Sequence, residues 1–406
     1  MGRIAMKQVV IVGGGQAAAS AARTLRSEGF DGGVVILSDE VYYPYERPPL
    51  SKAVLQGTAD AVSTCLLSED DARSHNIDVR LGQRVEAIDR GNRTVKLGSG
   101  GILHYDSLLI ATGSRARRLE GDFADKRNVF YLRSLDDAAA LRAAMAPDRH
   151  MLSIGAGWIG LEVAATARKM GMQATVVELA DRLCARSLPA DAGAALAEVH
   201  RGHGTVIHLN TVIESVGGQD RIESVTLSNG KTLAVDMVVV GIGAIANDVL
   251  GREAGLETAN GIVVDEFLRT SDPNVFAAGD VAAMRMGDGR LVRMESWANA
   301  QDQAAMAARN ILGRNVPYVV NTWFWSDQYD LNIQMIGDIQ PEGGSVLVRR
   351  GEGRAFTRFS VVDGRLVGAI CFGTPRDMAI IRRLMSKGYV VTDDALVTAP
   401  DLRKLL

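Results

Sequence analysis

Cysteine is scarce in this chain of 406 residues, which contains only Cys65, Cys184 and Cys371. The three cysteines lie far apart and form no paired spacing. No iron–sulfur cluster, zinc site or redox disulfide can therefore be assigned to them as a motif. We expect three reduced thiols, as is usual for a protein of the cytosol.

Histidine is almost as sparse, with 6 residues in the chain. The one local group is His200, His203 and His208, and it falls where a helix is predicted to end, near Arg201 to Gly204. No carboxylate or cysteine completes this group as a set of metal ligands. We therefore predict no metal site.

Neither a large charge of one sign nor a long hydrophobic run is present. The 45 Lys and Arg residues nearly balance the 48 Asp and Glu residues, for a net charge of -3, which excludes the basic footprint of a nucleic-acid-binding protein. No apolar run approaches the ~18 residues that span a bilayer, and residues 1–7 are too few and too polar for a signal peptide. We expect a cytoplasmic protein that binds neither nucleic acid nor membrane.

Glycine, by contrast, is abundant, with 43 residues against 10 prolines, and two glycine-rich turns share one pattern. Gly13-Gly14-Gly15-Gln16-Ala17-Ala18 follows the apolar run 9–12, and Gly155-Ala156-Gly157-Trp158-Ile159-Gly160 follows the run 151–154. Each opens an alanine-rich stretch of helical type. In this pattern the first glycine makes a tight turn, the second lets the backbone approach a pyrophosphate, and the third position packs helix against strand. The two turns predict two bound dinucleotides.

An acidic residue about 20 positions after each glycine turn supports the same interpretation, because it can accept hydrogen bonds from a ribose. Asp39 or Glu40 follows the apolar run 34–37, and Glu178 follows the run 174–177. Glycine-rich turns also join strands to helices in α/β domains that bind no ligand. The two correctly placed acids argue against that alternative.

Chain length and the order of segments predict more than one domain, since single hydrophobic cores stop growing near ~250 to 300 residues. Alternating strands and helices predict an α/β protein with two Rossmann-like dinucleotide-binding domains. Short alternating strands after Pro317 predict a separate C-terminal α+β domain. We also expect a serine-capped helix after Ser134, an alanine-rich helix from about Ser296 to Leu312, and a final helix from about Arg376 to Lys387.

Further motifs occur in a fixed order along nearly the whole chain. They are Tyr45–Lys52, Ala111-Thr112-Gly113, Gly155–Glu162, Thr270–Pro273 with Ala278-Gly279-Asp280, and Trp323–Gln328. This set resembles the FAD-dependent NADH:ferredoxin reductases of the putidaredoxin reductase and biphenyl dioxygenase ferredoxin reductase type, within the pyridine nucleotide-disulfide oxidoreductase superfamily. The resemblance implies a glutathione reductase-like fold. Its parts would be an FAD-binding domain of residues 1–115 and 245–322, an NADH-binding domain of residues 116–244, and the C-terminal domain of residues 323–406.

The resemblance also implies which residues bind each cofactor. The residues that would contact FAD are Gly13, Gly15, Ala17, Ala18, Asp39, Arg47, Lys52, Val85, Ala111, Thr112, Gly113, Arg133, Gly279, Asp280 and Trp297. Those that would contact NADH are Gly155, Gly157, Ile159, Gly160, Glu162, Glu178, Arg186, Gly241 and Gly243. Lys52 and Glu162 would form the catalytic pair, with Lys52 favouring the negative reduced flavin.

NADH is expected rather than NADPH, because an acid at the ribose repels the extra phosphate. Glu178 is followed by Leu179 and Ala180, so no guanidinium lies immediately beside it. Arg182 and Arg186 nearby leave the strictness of this preference open.

The activity implied by the resemblance is hydride transfer from NADH to FAD, followed by single-electron transfer to a transiently bound [2Fe-2S] ferredoxin. That ferredoxin would serve a Rieske-type oxygenase or a cytochrome P450, as in aromatic hydrocarbon catabolism. Cations of the final helix would steer an acidic ferredoxin, and tryptophans would lie near the flavin at the docking face. A solvated helix face and ordinary packing are the alternatives. These residues are Arg376, Arg382, Arg383, Lys387, Trp297, Trp323 and Trp325.

A disulfide reductase would need a cysteine pair near residues 47–52, and the chain has none there. Three other functions remain open. A rubredoxin reductase or a monodehydroascorbate reductase stays possible. A protein of a different class, an NADH-sensing interaction protein like the apoptosis-inducing factors, is the remaining alternative.

Overall fold

The fold was analysed in a computed structural model, which describes residues 7–391 and 394–406. Residues 1–6, on which the signal-peptide argument depends, lie outside the described residues, as do Thr392 and Asp393 of the predicted C-terminal domain.

The strands of the described chain are mostly three to eight residues long. They are β1 Gln8–Val12, β2 Gly33–Leu37, β3 Ile77–Arg80, β4 Val85–Asp89, β5 Thr94–Leu97, β6 Ile102–His104, β7 Ser107–Ile110, β8 Ser114–Ala116, β9 Val129–Phe130, β10 His150–Ile154, β11 Gln173–Val177, β12 Val206–His208, β13 Ile213–Gly217, β14 Ser224–Leu227, β15 Thr232–Ala234, β16 Met237–Val240, β17 Ala244–Ala246, β18 Ile262–Val264, β19 Val275–Ala277, β20 Ala282–Arg285, β21 Leu291–Val292, β22 Phe324–Gln328, β23 Leu331–Gly337, β24 Ser345–Arg350, β25 Phe356–Val362 and β26 Arg365–Phe372.

The helices follow the expected capping chemistry in several places. They are α1 Gln16–Ser27, α2 Ala53–Gln56, α3 Glu69–Ser74, α4 Leu135–Ala144, α5 Trp158–Lys169, α6 Ala190–Gly202, α7 Val249–Glu253, α8 Trp297–Ile311, α9 Pro375–Ser386 and α10 Ala395–Thr398. The side chain of Ser134 caps α4 and that of Ser296 caps α8, so both predicted starts are confirmed. The predicted final helix is confirmed as α9.

Two compact units divide the chain by its internal contacts. The first consists of the described part of Met1–Arg47, with Asp60–Arg115 and Ala244–Asn321. The second consists of Pro48–Ala59, Ala116–Gly243 and Thr322–Leu406. Pro48–Ala59 thus lies inside the predicted FAD-binding range in sequence but belongs to the second unit by its contacts.

A parallel sheet of order β19-β7-β1-β2-β3 forms the centre of the first unit. Apart from the edge strand β3, its strands are nearly continuous runs of buried apolar residues, as expected for a parallel sheet covered on both faces. Helices α1 and α8 pack against each other beside it. This unit also contains two three-stranded sheets. The sheet β4-β5-β6 is antiparallel, and the sheet β18-β20-β21 is mixed.

The second unit contains another parallel sheet, of order β12-β11-β10-β16-β9, and the antiparallel sheet β13-β14-β15. A five-stranded antiparallel sheet, β22-β23-β26-β25-β24, follows in the residues after 322. Phe359 and Phe372 of this sheet are completely buried, and Ile381 and Leu384 of α9 are buried in one core with Phe359. The predicted α/β class, with two dinucleotide-binding folds and a C-terminal α+β domain, is confirmed.

Among the residues that the structure describes, no helix combines the length and the apolar character needed to cross a membrane.

Candidate dinucleotide-binding sites

The first glycine turn lies at the carboxyl end of β1, in the middle of the parallel sheet of the first unit. Gly13 has a φ of +121°, and a methyl group there would lie 2.1 Å from the carbonyl oxygen of Ala111. Its amide donates to the carbonyl of Leu37 at 2.8 Å. Only glycine fits this position, because both the backbone angle and the neighbouring strand exclude a side chain. Ala111, Thr112 and Gly113 therefore lie directly beside the turn.

The amino-terminal end of α1 leaves its first backbone amides without a side-chain cap. Gly15 is its N-cap, no side chain caps the helix, and no acidic residue occupies the first turn. A methyl group on Gly15 would meet no atom within 4 Å, so the space in front of the helix is open. Uncapped amides and the helix dipole favour a negative group at such a place. Helices α4 and α8, by contrast, have serine caps.

The structure distinguishes the two acids that follow β2. Glu40 accepts from the guanidinium of Arg47 at 2.6 Å and from the hydroxyl of Tyr45 at 2.5 Å. Burial opposes the charge of Arg47, but the nearby Tyr45 and Glu40 outweigh it and raise the pKa of the guanidinium. Asp39 is exposed at the end of the strand. Because Glu40 is engaged with Arg47, Asp39 is the better candidate for a ribose.

Two further segments of the first unit end at the same edge of the sheet. Gly279 follows β19, and a methyl group on it would lie 3.2 Å from the Cβ of Ala17 in α1. The next residue, Asp280, accepts from the hydroxyl of Ser114 at 2.8 Å. The turn is fixed by Gln303, whose side-chain oxygen accepts from the amide of Gly279 at 2.8 Å. The edge thus gathers backbone amides and one carboxylate beside the opening of α1.

The remaining predicted FAD residues are distributed between the units. Val85 begins β4 and is partly buried against the core of the first unit. Trp297 is the first residue of α8, directly after its serine cap. Lys52 belongs to the second unit, as does Arg133, whose backbone amide donates to Asp137 at 3.0 Å just before α4.

The second glycine turn repeats the same construction in the second unit. Gly155 has a φ of +94°, and a methyl group on it would lie 2.6 Å from the carbonyl oxygen of Gly241. A methyl group on Gly160 would lie 2.5 Å from the carbonyl oxygen of Gly155. Gly157 is the N-cap of α5, which has no side-chain cap and no acid in its first turn. Ile159, in that first turn, is 42% exposed although it is aliphatic.

Glu178 is tied to this turn by its carboxylate. One oxygen accepts from the amide of Ala156 at 2.6 Å, and the other accepts from the amide of Ala180 at 2.8 Å. Each carboxylate oxygen has a further lone pair, so both can still accept from a diol. Glu178 is therefore fixed beside the glycine turn with acceptor capacity to spare.

The turn 241–243 brings Arg186 into the same region. The amide of Gly241 donates to the carbonyl of Ile154 at 2.8 Å, which holds the turn beside β10. A methyl group on Gly243 would lie 3.3 Å from a guanidinium nitrogen of the exposed Arg186. A cation is thus available beside the backbone turn.

Glu162 and Lys52 form an ion pair within the second unit. Glu162 lies on α5 and is 4% exposed, and one of its oxygens accepts from the Lys52 ammonium at 2.8 Å. The same oxygen accepts from the hydroxyl of Ser51, and the other oxygen accepts from the hydroxyl of Ser326 at 2.6 Å. A buried carboxylate is stable only when it is paired and hydrogen-bonded in this way.

The three cysteines differ in their exposure to solvent. Cys65 is exposed, whereas Cys184 and Cys371 are buried and free. Burial raises the pKa of Cys371 to about 12, and burial together with the charges of Glu162 and Glu178 raises that of Cys184. Within residues 7–391 and 394–406, no three His, Cys, Asp or Glu side chains form a possible metal site.

Two family models match the chain. The pyridine nucleotide-disulphide oxidoreductase model matches residues 7–304, and the reductase C-terminal model matches residues 323–406. The chain belongs to the pyridine nucleotide-disulphide oxidoreductase family.

Three solved structures resemble this member of the family along almost its whole length. The ferredoxin reductase for the CYP199A2 system from Rhodopseudomonas palustris is 37% identical, with a TM-score of 0.93 over 98% of this chain and 99% of the other. Putidaredoxin reductase, in its covalent complex with putidaredoxin, is 35% identical, with a TM-score of 0.92 over 98% of both chains. The structure of Fdr9 is 33% identical, with a TM-score of 0.84 over 98% and 99%. The predicted ferredoxin reductase type is confirmed.

The protein is therefore an oxidoreductase flavoprotein that uses FAD and NAD(H). The open space at Gly15 and the uncapped amides of α1 and α5 fit the pyrophosphates of two dinucleotides. Sequence patterns assigned no role to several supporting side chains, because each meets its partner only through the fold. These are Ser51, Ser114, Gln303, Ser326 and Gln328.

Proposed function

We propose that this protein takes a hydride from NADH and passes electrons one at a time to a [2Fe-2S] ferredoxin. That ferredoxin would serve a Rieske-type oxygenase or a cytochrome P450, as in aromatic hydrocarbon catabolism. The observation that carries the proposal is the Lys52–Glu162 ion pair at 2.8 Å. A disulfide reductase would need two cysteines near residues 47–52, and this chain instead supplies a paired lysine there.

The similar solved structures support a ferredoxin as the partner. One is described as a ferredoxin reductase for the CYP199A2 system, and another is a covalent complex of putidaredoxin reductase with putidaredoxin. This chain covers 99% of the first solved chain and 98% of the second.

We assign FAD to the first glycine turn. The amides at the start of α1 would bind its pyrophosphate, Asp39 would accept from the adenosine ribose, and Asp280 would accept from the ribityl chain. Ser114 supports this role, because its hydroxyl donates to Asp280 at 2.8 Å and so helps to fix the orientation of the carboxylate. The further proposed contacts are Ala17, Ala18, Arg47, Lys52, Val85, Ala111, Thr112, Gly113, Arg133, Gly279 and Trp297.

We assign NADH to the second glycine turn. Gly155, Gly157 and Gly160 would lie against its pyrophosphate, with Ile159 in the same first turn and Arg186 beside Gly241 and Gly243. Glu178 would accept from the adenosine ribose. The two hydrogen bonds that Glu178 accepts from backbone amides support a preference for NADH. They hold a negative carboxylate beside the proposed ribose, and it would repel the extra phosphate of NADPH.

FAD, when bound, accepts two electrons as a hydride and can release them singly. The protein contributes position and charge. Lys52 would offer its ammonium to the reduced flavin, and Glu162 holds that ammonium in place. A preorganised charge of this kind costs no rearrangement at the moment of transfer.

Helix α9 supports a docking surface for an acidic partner. Arg376, Arg382 and Arg383 of this helix are exposed, as is Lys387, its C-cap. Three of them, Arg376, Arg383 and Lys387, recur at intervals of seven and four residues and so share one face of the helix. Such a cluster raises the rate of encounter with an acidic protein.

The test is reduction of cytochrome c by NADH with the purified holoenzyme, with and without an added [2Fe-2S] ferredoxin. Dependence on the ferredoxin is the expected result. Equal rates with and without it would contradict the proposal. Rubredoxin and monodehydroascorbate serve as competing acceptors in parallel assays, and a preference for either would favour that alternative. Binding of NADH without turnover of any acceptor would favour a sensing protein.

A further inference from the structure

A chain of buried polar side chains leads from α6 to the Glu162–Lys52 pair within the second unit. The ring nitrogen Nε2 of His200 lies 2.6 Å from the side-chain oxygen of Gln328. The amide nitrogen of Gln328 donates to the hydroxyl of Ser326 at 3.1 Å, and that hydroxyl donates to Glu162 at 2.6 Å. Three elements, α6, β22 and α5, are joined by this chain.

These side chains are inaccessible to water. Ser326 and His200 are 0% exposed, Gln328 is 1% exposed and Glu162 is 4% exposed. Burying such groups is costly unless each finds a hydrogen-bond partner. Apolar side chains would join the same elements without that cost, so cohesion alone does not explain a polar chain here.

The hydrogen bonds of the chain run in one direction. The Gln328 oxygen can only accept, so Nε2 of His200 carries the proton. Burial lowers the pKa of His200 to about 4, which keeps the ring neutral, and its Nδ1 has no partner among the described residues. The amide nitrogen of Gln328 donates to the oxygen of Ser326, and the hydroxyl hydrogen of Ser326 is donated to Glu162. Every donor points towards the carboxylate.

The second oxygen of Glu162 is held by residues that precede it in the chain, whereas Ser326 follows it. It accepts from the Ser51 hydroxyl and from the Lys52 ammonium. The Ser326 hydroxyl therefore fixes one oxygen and leaves the other for Lys52. Rotation of the carboxylate would break bonds on both sides at once.

We propose that Ser326, Gln328 and His200 are positioning residues, which hold Glu162 and through it Lys52 in one orientation for reduction of FAD by NADH. The proposal rests on the proposed function only in the role given to Lys52 and Glu162, and not on the identity of the electron acceptor. Ser326 acts directly on Glu162, whereas Gln328 and His200 fix the direction of the Ser326 hydroxyl.

The first experiment is a double-mutant cycle on the holoenzyme, using Ser326→Ala, Glu162→Gln and the combination. Flavin reduction is followed in a single turnover at increasing NADH, without any ferredoxin. We expect Ser326→Ala to lower the limiting rate roughly tenfold to a hundredfold, as for loss of a hydrogen bond to a charged group, while the apparent Kd for NADH stays within about twofold. In the Glu162→Gln background the same substitution should have little further effect. Equal effects in both backgrounds would overturn the proposal.

Two variants separate positioning from folding. Ser360→Ala removes another completely buried hydroxyl, on β25 of the same unit, which donates to the carbonyl of Ile339 at 3.0 Å. It should leave the limiting rate unchanged, and a loss equal to that of Ser326→Ala would count against the proposal. Ser326→Thr keeps a hydroxyl and should restore most of the rate.

A spectroscopic measurement tests the chain without turnover. The ¹⁵N shifts of the His200 ring should show a neutral ring protonated at Nε2 in the wild type. In Gln328→Met, which removes the acceptor at similar volume, we expect a mixture of the two tautomers. A wild-type ring protonated at Nδ1 would contradict the donor direction. A failure of ferredoxin reduction alone would bear on the proposed function and leave these results intact.

Discussion

The carboxylate of Glu178 accepts a hydrogen bond from the amide of Ala156 at 2.6 Å. The acid that follows one strand is thereby joined to the turn that follows the neighbouring strand. Because the two amides already hold the carboxylate, the hydroxyls of the ribose that we propose to bind here would meet acceptors that need no rearrangement. The pair explains how two motifs 22 residues apart can act as one site.

Replacement of this acid should weaken NADH binding. Glu178→Gln puts an amide donor against the amide of Ala156 or that of Ala180, so one bond is lost and the ribose loses an acceptor. We expect the KM for NADH to rise roughly tenfold to a hundredfold and discrimination against NADPH to fall. Steady-state assays with ferricyanide measure both. Glu198→Gln, at an exposed position on α6, is the control, and an unchanged KM in Glu178→Gln would contradict the assignment.

Because the space at Gly15 is open, a substitution there should weaken FAD binding more than it destabilises the fold. A methyl group there meets no protein atom within 4 Å, so Gly15→Ala should leave the melting temperature of the apoprotein nearly unchanged. It should still weaken FAD binding, since the methyl group occupies the approach to the pyrophosphate. Reconstitution with FAD, followed by flavin fluorescence, gives the affinity. Gly202→Ala, also in open space at the end of α6, should bind FAD normally. A normal affinity of Gly15→Ala for FAD would show that the pyrophosphate does not bind at this turn.

Charge reversal on α9 should affect the acceptor and not NADH. We expect Arg376→Glu combined with Arg383→Glu to raise the KM for ferredoxin severalfold, with a weaker dependence of the rate on salt, while ferricyanide reduction stays normal. The reversal of Arg73 and Arg201, two exposed arginines on α3 and α6, has the same net charge change and serves as the control. Unchanged ferredoxin kinetics in the α9 variant would exclude this helix as the docking surface.

The buried His200 should make stability depend on pH. Burial lowers its pKa from 6.5 to about 4, so the unfolded chain takes up a proton that the folded protein does not. Stability is therefore lost as the pH falls from about 6.5 to about 4, by up to about 3 kcal/mol.

Unfolding of the holoenzyme by urea at several pH values measures this effect. His200→Gln should flatten the dependence over that interval. His104→Gln, at an exposed position, should leave it unchanged. Parallel curves for the wild type and His200→Gln would show that another group is responsible.

Much of the fold could be predicted from local patterns. The serine caps of α4 and α8 and the glycine turns of α1 and α5 depend on residues within a few positions of each other, and the structure has all four. Ser114 and Asp280, by contrast, are 166 residues apart, and Ser326 and Glu162 are 164 apart. No spacing along the chain encodes such pairs, so the supporting side chains of both sites were missed.

The acids after β2 show the same division. The sequence determined that an acid follows the strand, because strand, turn and acid are contiguous. Spacing alone left Asp39 and Glu40 open, and the family resemblance pointed to Asp39. The tertiary structure favours the same residue, because it engages Glu40 with Arg47 at 2.6 Å. Likewise, Arg382 and Arg383 had the same predicted role, whereas in the structure the guanidinium of Arg382 lies 5.5 Å from the centre of the Trp323 ring.

The sequence by itself determined the parts of this protein that depend on backbone conformation and hydrophobic period. These are the two dinucleotide-binding turns, the strands and helices around them, and the absence of a cysteine pair. Only the tertiary structure decided how charges are paired, since a buried carboxylate such as Glu162 takes its donors from whichever segments the fold brings to it. Those donors, Ser51, Lys52 and Ser326, lie more than 100 residues from it in either direction.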